Sequence, residues 1–491
     1  MSKPKKYDFN IIVIGAGSAG LVTSYIAATL NAKVALIEKH KMGGDCLNTG
    51  CVPSKAIIRT AKMFSYAKRA TEFGLNSVTI DYDFKKVMER VHNIIKKIEP
   101  HDSIERYTKL GVDCITGEAK IKSPYEVEVN GKVLTTRAIV VATGARPFVP
   151  PIPGINDVEI LTSDNIWKIT EQPKRLAVLG GGPIGSELAQ SFQRLGTDVS
   201  LIERSDRILP KEDDDVAHEI QKKFIQEGMT ILSKHEAKGF KKVEGGIEIS
   251  LDNNGKTTTQ VFDKVLLAIG RKANVTGFGL EELGVKLRQN QTIECDDFLR
   301  TNYKNIFVCG DVTGPYQFTH MAAHHAYYAA VNSLFRPFVG LVPPPFNNGL
   351  KVDYSVVPWA TYTDPEIATV GETETSAKSK NISYEITKYG IDDLDRAITD
   401  SEAHGFVKVL TKPGTDKILG ATIVGNHASD MIIEFIQAMK QGFGLNAIMG
   451  TIHIYPTMAE SNKFLAGQWK QKRKPEKALN ILKTFFKWRR K

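Results

Sequence analysis

The amino-acid sequence predicts an α/β protein, because a strand, a glycine-rich loop, a helix and a second strand follow one another twice along the chain. Both loops have the spacing Gly-x-Gly-x-x-Gly, and both second strands end in a glutamate, Glu38 and Glu203. Glycine-rich turns alone are common, but the full order of elements with the acid in place is typical of a Rossmann-like unit that binds a dinucleotide. Two such units predict two dinucleotides in one chain.

The first unit lies at the start of the chain. The apolar run 9–14 predicts one strand, and residues 33–37 predict the strand that leads to Glu38. The loop between them contains Gly15, Gly17 and Gly20. Glycines at these positions allow a tight turn and let the backbone approach a pyrophosphate, whose charge the helix N-terminus stabilises. Glu38 would accept hydrogen bonds from ribose hydroxyls.

The second unit has strands at 175–179 and 198–202. Its loop contains Gly180, Gly182 and Gly185. Glu203 favours NAD over NADP, since a carboxylate accepts hydrogen bonds from a 2′-hydroxyl and repels a 2′-phosphate. Arg204 and Arg207 follow directly, so NADP stays open as an alternative, although exposed arginines after a strand are more often solvated.

The stretch 43–55, GGDCLNTGCVPSK, carries two thiols that are five residues apart, Cys46 and Cys51. They can close a small ring if the backbone bends enough to bring them within disulfide range. Pro53 suits the first turn of a helix, which would place Cys51 at the positive end of the helix dipole with Lys55 one turn further on. Both features favour thiolate over thiol, as at a reactive cysteine.

The same pair is also compatible with a structural disulfide or with half of a metal site. A cytosolic setting argues against the first of these. Against the second, the remaining cysteines are isolated and complete no second ligand pair. They are Cys114, Cys295 and Cys309. Three histidines on one predicted helix, His320, His324 and His325, share no face with a carboxylate or a cysteine, so we expect solvated or core histidines and no metal.

Composition and charge exclude several classes. At 491 residues, 42% hydrophobic and 24% charged, the chain predicts two to four folded domains. It has no apolar run as long as a membrane span and no signal-peptide pattern, which predicts a cytoplasmic protein. A net charge of +10 is compatible with nucleic-acid binding if it is spread over the folded chain. It is not, because residues 469–491 hold ten Lys or Arg and one acidic residue, a charge of +9, which leaves +1 for the rest.

The stretch 43–55 resembles the redox-active disulfide motif of the flavin-dependent pyridine nucleotide-disulfide oxidoreductases, the family of dihydrolipoamide dehydrogenase, glutathione reductase and mercuric reductase. The resemblance covers about residues 8–468. It implies a glutathione reductase-like fold with two Rossmann-like domains and an α+β dimerisation domain, FAD at the first glycine loop, the nicotinamide cofactor at the second, and a homodimer. The implied domains are an FAD domain at 1–155 and 281–345, an NAD(P) domain at 156–280, a dimerisation domain at 346–468 and a basic tail at 469–491.

The resemblance also implies roles for individual residues. Cys51 would face the flavin and Cys46 would meet the substrate. Lys55 matches a lysine near flavin N5 and Glu187 its carboxylate partner, although a solvated lysine and an acid favoured by the helix dipole are the plainer interpretations. Further cofactor residues implied by the family's motifs are Thr143, Gly144, Gly270, Gly310 and Asp311, of which the last would bind the ribityl chain.

One position departs from the family's disulfide reductases. These have a histidine before a proline and a glutamate five residues after that histidine, whereas this chain has Tyr455 and Glu460. A phenol with a pKa of about 10 is a poor base at neutral pH compared with an imidazole at about 6.5. Mercuric reductases resemble the chain in having tyrosine there. They also have a C-terminal cysteine pair, whereas no cysteine follows Cys309 here, and we expect no counterpart of their N-terminal metal-binding cysteine domain.

We therefore expect a mercuric-reductase-like oxidoreductase with an unknown small-molecule or small-protein acceptor. The alternatives are a dihydrolipoamide dehydrogenase that uses His453 or a water as its base, and a membrane-associated flavoprotein with an interaction role. In the tail, a helix after Pro475 would separate an apolar and a cationic face. Such a helix either docks on its own protein or lies on an anionic membrane surface.

Overall fold

The computed structural model describes residues 3–335 and 349–490. They form two compact units, one from the described residues of 3–68, 79–204 and 230–353 and the other from those of 69–78, 205–229 and 354–490. The domain boundary predicted between residues 345 and 346 lies outside the described residues. Within residues 3–335 and 349–490, no helix combines the length and the apolar character that crossing a bilayer requires.

The strands of the described residues follow in chain order: β1 (Phe9–Ile14), β2 (Val34–Glu38), β3 (Val112–Thr116), β4 (Lys120–Ser123), β5 (Glu126–Val129), β6 (Lys132–Val141), β7 (Ala145–Pro147), β8 (Ile160–Leu161), β9 (Arg175–Leu179), β10 (Asp198–Glu203), β11 (Thr230–Ser233), β12 (Glu236–Val243), β13 (Gly246–Asn253), β14 (Lys256–Phe262), β15 (Lys264–Leu267), β16 (Arg271–Ala273), β17 (Ile306–Val308), β18 (Pro358–Thr361), β19 (Glu366–Gly371), β20 (Glu385–Gly390), β21 (Phe406–Thr411) and β22 (Ile418–Gly425).

The α-helices are α1 (Ser18–Thr29), α2 (Gly44–Asn48), α3 (Cys51–Lys68), α4 (Phe84–Ile98), α5 (Ile104–Lys109), α6 (Pro183–Arg194), α7 (Asp214–Gln226), α8 (Thr319–Phe335), α9 (Glu374–Ser379), α10 (Asp395–Thr399), α11 (Ala428–Met431), α12 (Ile433–Gln441), α13 (Leu445–Gly450), α14 (Glu460–Gln471) and α15 (Glu476–Arg489). Helices α4 and α5 are separate. A 3₁₀ turn that contains Pro100 divides them, because proline supplies no N–H to an α-helical ladder.

The first unit contains a sheet in the order β3-β2-β1-β6-β5-β4, with β17 also paired to β6. Strands β3, β2, β1, β6 and β17 run parallel. Side chains of β1 alternate between two cores, with Ile11 and Val13 in one and Ile12 and Ile14 in the other. Both faces are therefore buried from Ile11 to Ile14, which explains why this part of the strand is apolar and shows no alternation, while Asn10 near the strand's start is exposed.

A second parallel sheet in the same unit has the order β11-β10-β9-β15-β8. An antiparallel sheet, β12-β13-β14, shares its core with this sheet, and β16 pairs with β7. In each parallel sheet the glycine loop follows the carboxyl end of a central strand, β1 or β9, where ligands bind in open α/β sheets. The α/β prediction with two Rossmann-like units is confirmed.

The second unit is built on an antiparallel sheet in the order β18-β19-β22-β21-β20. Strands β21 and β22 and helices α12 and α14 contribute to one buried core, which includes Val407, Ile423, Phe435, Leu465 and Trp469. This is the α+β domain that the sequence predicts near the end of the chain.

Candidate active site

Two glycines of the first glycine loop, Gly15 and Gly20, have no room for a side chain. Gly15 has φ +101°, and a Cβ built there would lie 2.4 Å from the carbonyl oxygen of Ala142. A Cβ on Gly20 would lie 1.8 Å from the carbonyl oxygen of Gly15, so α1 packs directly on the turn. Gly17 is the residue before α1 and carries no side-chain cap. The loop thus leaves the helix N-terminus and its amide groups open to a phosphate, as a dinucleotide requires.

Glu38 lies at the end of β2, beside this loop. Its carboxylate accepts the N–H of Ala16 at 2.7 Å through one oxygen and the N–H of His40 at 2.8 Å through the other. Each carboxylate oxygen has a second lone pair, so the group can still accept ribose hydroxyls. The two backbone hydrogen bonds hold the carboxylate in position for that purpose.

Two further predicted segments meet the loop at the same edge of the sheet. The pairs Ile14–Val141 and Val308–Val141 align the ends of β1, β6 and β17. Thr143 and Gly144 follow β6, and the hydroxyl of Thr143 donates to the carbonyl of Asn274 at 2.7 Å. Gly310 and Asp311 follow β17 by the same alignment.

Asp311 and Arg271 form a polar pair that sequence reasoning did not identify. Burial raises the pKa of the Asp311 carboxyl, and the guanidinium Nε of Arg271, 3.8 Å away, partly offsets this. Arg271 also donates to the carboxylate of Asp45 and to the carbonyl of Ala145, the latter at 2.7 Å. A ribityl hydroxyl would supply the hydrogen-bond donor that a buried carboxylate needs. The only sequence signal for Arg271 is its place directly after Gly270.

The second glycine loop repeats the geometry of the first. A Cβ on Gly180 would lie 2.6 Å from the carbonyl oxygen of Ala268, and one on Gly185 1.9 Å from that of Gly180. Glu203 is buried and accepts the N–H of Gly181 at 2.7 Å, as Glu38 does at the first loop. Gly182, before α6, has nothing within 4 Å of its Cβ position. These residues fit a second dinucleotide.

Gly270, which follows β15, has φ +143° and open space at its Cβ position. Arg204 is exposed. Arg207 belongs to the second unit, where its guanidinium pairs with the carboxylate of Asp214 at 3.0 Å and donates to the carbonyl of Glu212 at 2.7 Å. These partners leave Arg207 less available for a phosphate.

Cys46 and Cys51 lie at the centre of a short, tightly held loop. The side chain of Asn48 donates to the carbonyls of Met42 and Gly44, both at 2.9 Å, and the N–H of Gly50 donates to a backbone carbonyl in α2 at 2.6 Å. The chain bends here as the sequence predicts. Both cysteines are free thiols in this structure and hydrogen-bond to each other, which is the reduced form of the pair.

The surroundings of Cys51 favour its thiolate. The hydrogen bond from Cys46 lowers the pKa of Cys51 to about 6 against the effect of burial, and the hydroxyl of Thr319 at 3.3 Å and the charge of Lys55 act in the same direction. The charge of Glu187 opposes them. The same hydrogen bond and burial raise the pKa of Cys46. Cys51 also opens α3, as predicted; Thr319, 268 residues away, carries no sequence signal for its contact.

Lys55 and Glu187 form the pair that the resemblance implies. Lys55 Nζ lies 2.9 Å from an oxygen of Glu187, whose side chain is only 8% exposed. Lys55 is on α3 and Glu187 on α6, which pack against each other in the first unit. Lys55 is therefore paired with a carboxylate, although its side chain is still 37% exposed, and its place near a flavin stays a prediction.

The tyrosine that departs from the family's pattern lies in the second unit. The hydroxyl of Tyr455 donates to Asp395 at 2.9 Å, and this hydrogen bond, with the nearby charges of Asp395 and Glu460, raises the pKa of Tyr455. Glu460 is buried and accepts the N–H of Thr457 at 3.2 Å. Tyr455 is thus held in its protonated form at neutral pH.

His453 has both ring nitrogens engaged. Nε2 lies 3.0 Å from a carboxylate oxygen of Glu434, and Nδ1 lies 3.0 Å from the carbonyl oxygen of Thr451. Its side chain is 7% exposed. Both ring nitrogens of His453 therefore already have partners within the second unit.

One cluster of carboxylates in the described residues has the spacing of metal ligands: Asp213, Asp215 and Glu374. The ammonium of Lys408 lies among them, at 2.9, 2.7 and 3.0 Å respectively. These charged hydrogen bonds raise the pKa of Lys408 in spite of its burial. The cluster is thereby an ion-pair network that stabilises the second unit.

The family models match almost the whole chain. The model of the pyridine nucleotide-disulphide oxidoreductase family matches residues 9–330, and the model of that family's dimerisation domain matches residues 357–465. The chain belongs to the pyridine nucleotide-disulphide oxidoreductase family. Members of the family use FAD and NAD(P)H, and the protein is a flavoprotein oxidoreductase. The dimerisation domain supports a homodimer.

Within the pyridine nucleotide-disulphide oxidoreductases, relatives with two different activities are similar to this chain. Mercuric reductase from Bacillus cereus is 34% identical over 462 residues, which cover 93% of this chain and 71% of that protein. Dihydrolipoyl dehydrogenase from Chlamydia trachomatis is 32% identical over 458 residues, covering 92% and 95%. Overall identity therefore does not separate the two activities.

Two solved structures share the fold. The HOCl-induced flavoprotein disulfide reductase RclA from Escherichia coli has a TM-score of 0.81 and 25% identity, with 94% of this chain and 99% of that one covered. LpdA from Mycobacterium tuberculosis has a TM-score of 0.83 and 24% identity, with the same coverage.

Proposed function

We propose that the protein is an NADH-dependent, FAD-containing oxidoreductase that passes electrons through the Cys46–Cys51 disulfide to a small acceptor, in the manner of the mercuric reductases. When bound, FAD supplies the two-electron transfer between the nicotinamide and the disulfide. Opening the disulfide takes two electrons and, at neutral pH, one proton. The proton goes to Cys46, whose pKa is raised, while Cys51 keeps the negative charge.

The residues around the pair support this division of roles. Cys51 is stabilised as a thiolate by the Cys46 thiol, the Thr319 hydroxyl and the Lys55 ammonium. Glu187 orients Lys55, so the positive charge stays beside the thiolate and the reduced cofactor. Cys46 is then the sulfur that reacts with the acceptor. Glu203 supports NADH over NADPH, because a buried carboxylate at the ribose position repels a 2′-phosphate.

The choice of acceptor depends on the hydrogen bond that Tyr455, at the position of the family's histidine, donates to Asp395. A thiol substrate must lose a proton to a base, and a tyrosine whose pKa is raised by Asp395 does not accept one at neutral pH. A soft metal ion makes no such demand, since it binds thiolates directly. Tyr455 can instead donate a hydrogen bond. The acceptor class we propose is therefore a thiophilic ion or another small oxidant that needs no protein base.

Dihydrolipoamide dehydrogenase is the second candidate, because a relative named so is 32% identical over nearly the full length of both chains. In this candidate a water would replace the missing base, since both nitrogens of His453 are already engaged. A third, non-catalytic candidate is a flavoprotein that serves an interaction role through its basic tail.

The test is steady-state NADH oxidation by the holoenzyme with mercuric ion, quinones and small disulfides, compared with NAD⁺ reduction by dihydrolipoamide. We expect mercuric ion to be the best acceptor and dihydrolipoamide oxidation to be slow. Tyr455→His should raise dihydrolipoamide oxidation at least about tenfold, because a positioned base is worth about 10²–10⁴ in rate. Tyr455→Phe is the matched control, which removes the hydroxyl without adding a base and should leave that activity low.

Three results would reject the proposal. Dihydrolipoamide as the fastest substrate of the unmodified enzyme would favour the second candidate. Equal effects of the two Tyr455 variants would show that the missing base does not limit thiol chemistry. Bound FAD with no turnover by any acceptor would favour the interaction role.

We further propose that the enzyme works in the cytoplasm and associates with the inner face of the membrane as a peripheral protein. The support is the concentration of positive charge in residues 469–491, a net +9 beside +1 for the remainder of the chain. Juxtamembrane clusters of Lys and Arg are attracted to the anionic lipids of the cytoplasmic leaflet.

A further inference from the structure

Helix α15 forms without packing against the rest of the described protomer. All its residues are exposed and none is buried. Its aromatic side chains contact one another: the ring centroid of Phe485 lies 5.5 Å from that of Phe486 and 6.1 Å from that of Trp488. The preceding helix, α14, ends at Gln471 and buries Trp469 in the core of the second unit. The sequence leaves open whether α15 docks on its own protein, and in this structure it does not.

The helix separates its side chains into two faces. At 100° per residue, the apolar residues fall within one half of the helical circumference. These are Ala478, Leu479, Ile481, Leu482, Phe485, Phe486 and Trp488. The opposite half carries Glu476, Lys477, Asn480, Lys483, Thr484, Lys487 and Arg490. Six large apolar side chains between 43% and 70% exposed make a continuous stripe that is unfavourable in water.

Charge indicates what covers this stripe. Residues 469–491 hold ten Lys or Arg and one acidic residue, so a partner with negative charge is attracted. Arg489, the basic residue within the apolar half, lies with its guanidinium 5.8 Å from the Phe485 ring and is long enough to reach out of an apolar layer. Cations flanking large aromatic and aliphatic residues suit the interface of an anionic bilayer, where both parts are satisfied.

The length of α15 fits a helix that lies along a surface. Its 14 residues span about 21 Å at 1.5 Å per residue, which is shorter than the roughly 30 Å hydrocarbon core of a bilayer. The segment between α14 and α15, residues 472–475, contains Pro475 and separates the surface helix from the folded core. Insertion of the apolar face therefore requires no unfolding of the second unit.

We propose that α15 lies in the plane of an anionic phospholipid surface, with its apolar stripe at the level of the acyl chains and its lysines at the headgroup phosphates. This inference rests on the peripheral location proposed above and names the partner and the face that make the contact. The apolar stripe supplies burial, and the basic face selects anionic over neutral lipid.

The experiment is co-sedimentation of the full-length holoenzyme with phosphatidylcholine vesicles, with and without phosphatidylglycerol. We expect binding to the anionic vesicles at low salt, weakened by high salt because the headgroup attraction is screened. Phe486→Asp should reduce binding about tenfold or more, since burial of one large apolar side chain is lost. Asn480→Asp adds the same charge on the polar face and should reduce it only about fivefold, the contribution of about one charge.

A truncation after Lys474 tests the same proposal independently of the point substitutions. It removes α15 but keeps Trp469 in the core and the ion pair between Arg473 and Glu385. We expect it to lose vesicle binding and to keep NADH oxidation in solution, so failure here is distinguishable from failure of the proposed enzymatic function.

Several outcomes would overturn the assignment. These are equal binding to neutral and anionic vesicles, equal effects of Phe486→Asp and Asn480→Asp, unchanged binding by the truncated chain, or no binding at low salt. A second copy is the competing occupant of the stripe. If Phe486→Asp lowers the oligomeric state in sedimentation velocity, the stripe is a self-interface and the membrane contact is rejected.

Discussion

The two glycine loops share their spacing and their internal geometry but differ in what lies over them. At the first loop, Gly43 donates its N–H to the carbonyl of Ala16 at 2.9 Å, and a Cβ on Gly44 would lie only 2.6 Å from Gly17 Cα. The loop that carries Cys46 and Cys51 therefore packs directly against the first glycine loop. At the second loop, Gly182 has nothing within 4 Å of its Cβ position.

The difference indicates how each cofactor is held. A loop under a second, tightly packed loop suits a cofactor that stays bound, and an open loop suits one that enters and leaves in each turnover. Both loops share the motif's turn, helix N-terminus and acid, so they differ in the residues packed against them and not in their binding chemistry. We infer that the contact between Gly44 and Gly17 both encloses FAD and brings the cysteine pair to it.

The largest effect is expected from disrupting the contact between the first glycine loop and the loop that carries Cys46 and Cys51. Gly44→Ala places a methyl group 2.6 Å from backbone at φ +56°, so the redox loop must move. We expect most of the bound flavin to be lost on purification, measured as the ratio of flavin to protein absorbance. Gly182→Ala is the matched control, because open space and an extended φ of −72° accept alanine, and its flavin content should be unchanged. Equal flavin loss in both would remove the distinction between the loops.

An intermediate effect is expected at Glu203, the acid that ends the second strand of the second dinucleotide unit. Glu203→Gln keeps an acceptor for the N–H of Gly181 but loses the charge at the ribose, and we expect kcat/KM for NADH to fall about tenfold or more, as for a charged hydrogen bond. The ratio of NADH to NADPH should fall with it. Arg207→Ala should leave that ratio within about twofold, since Arg207 already pairs with Asp214. A larger change for Arg207→Ala would show that arginine reads the phosphate.

The smallest effect concerns the ion pair that links α3 to α6, the helix of the second loop. The Cys51 thiolate is present above its pKa of about 6 and is lost as the pH falls through that value. Lys55→Met removes a charge that lowers this pKa, and Glu187→Gln removes one that raises it, so the midpoint should move up in the first variant and down in the second, by about one unit. The measurement is the pH dependence of the long-wavelength thiolate-to-flavin absorption in the two-electron-reduced holoenzyme. Shifts of the same sign would contradict the pairing.

Much of the site could be predicted because its chemistry is local. Glycine positions, the apolar strands and the acids follow from steric and hydrogen-bonding rules within about 30 residues, and Cys51 at a helix start follows from Pro53 and the residues before it. Lys55 and Glu187, which are 132 residues apart, were assigned by resemblance alone. The contacts of Thr319 and Arg271 were missed, because no local pattern connects them to their partners.

The sequence by itself determined the two dinucleotide units, the reactive cysteine pair and the amphipathic character of residues 476–489. Only the tertiary structure decided what each of these segments faces. Gly44 lies against Gly17 of the first loop, whereas no heavy atom of the described residues, its chain neighbours apart, lies within 4 Å of the Cβ position of Gly182, although the two loops have one spacing. Likewise α14 buries Leu465 and Trp469 while α15, a few residues later, buries nothing. An apolar stripe fixes which side of a helix avoids water, whereas the rest of the chain determines whether any surface is there to meet it.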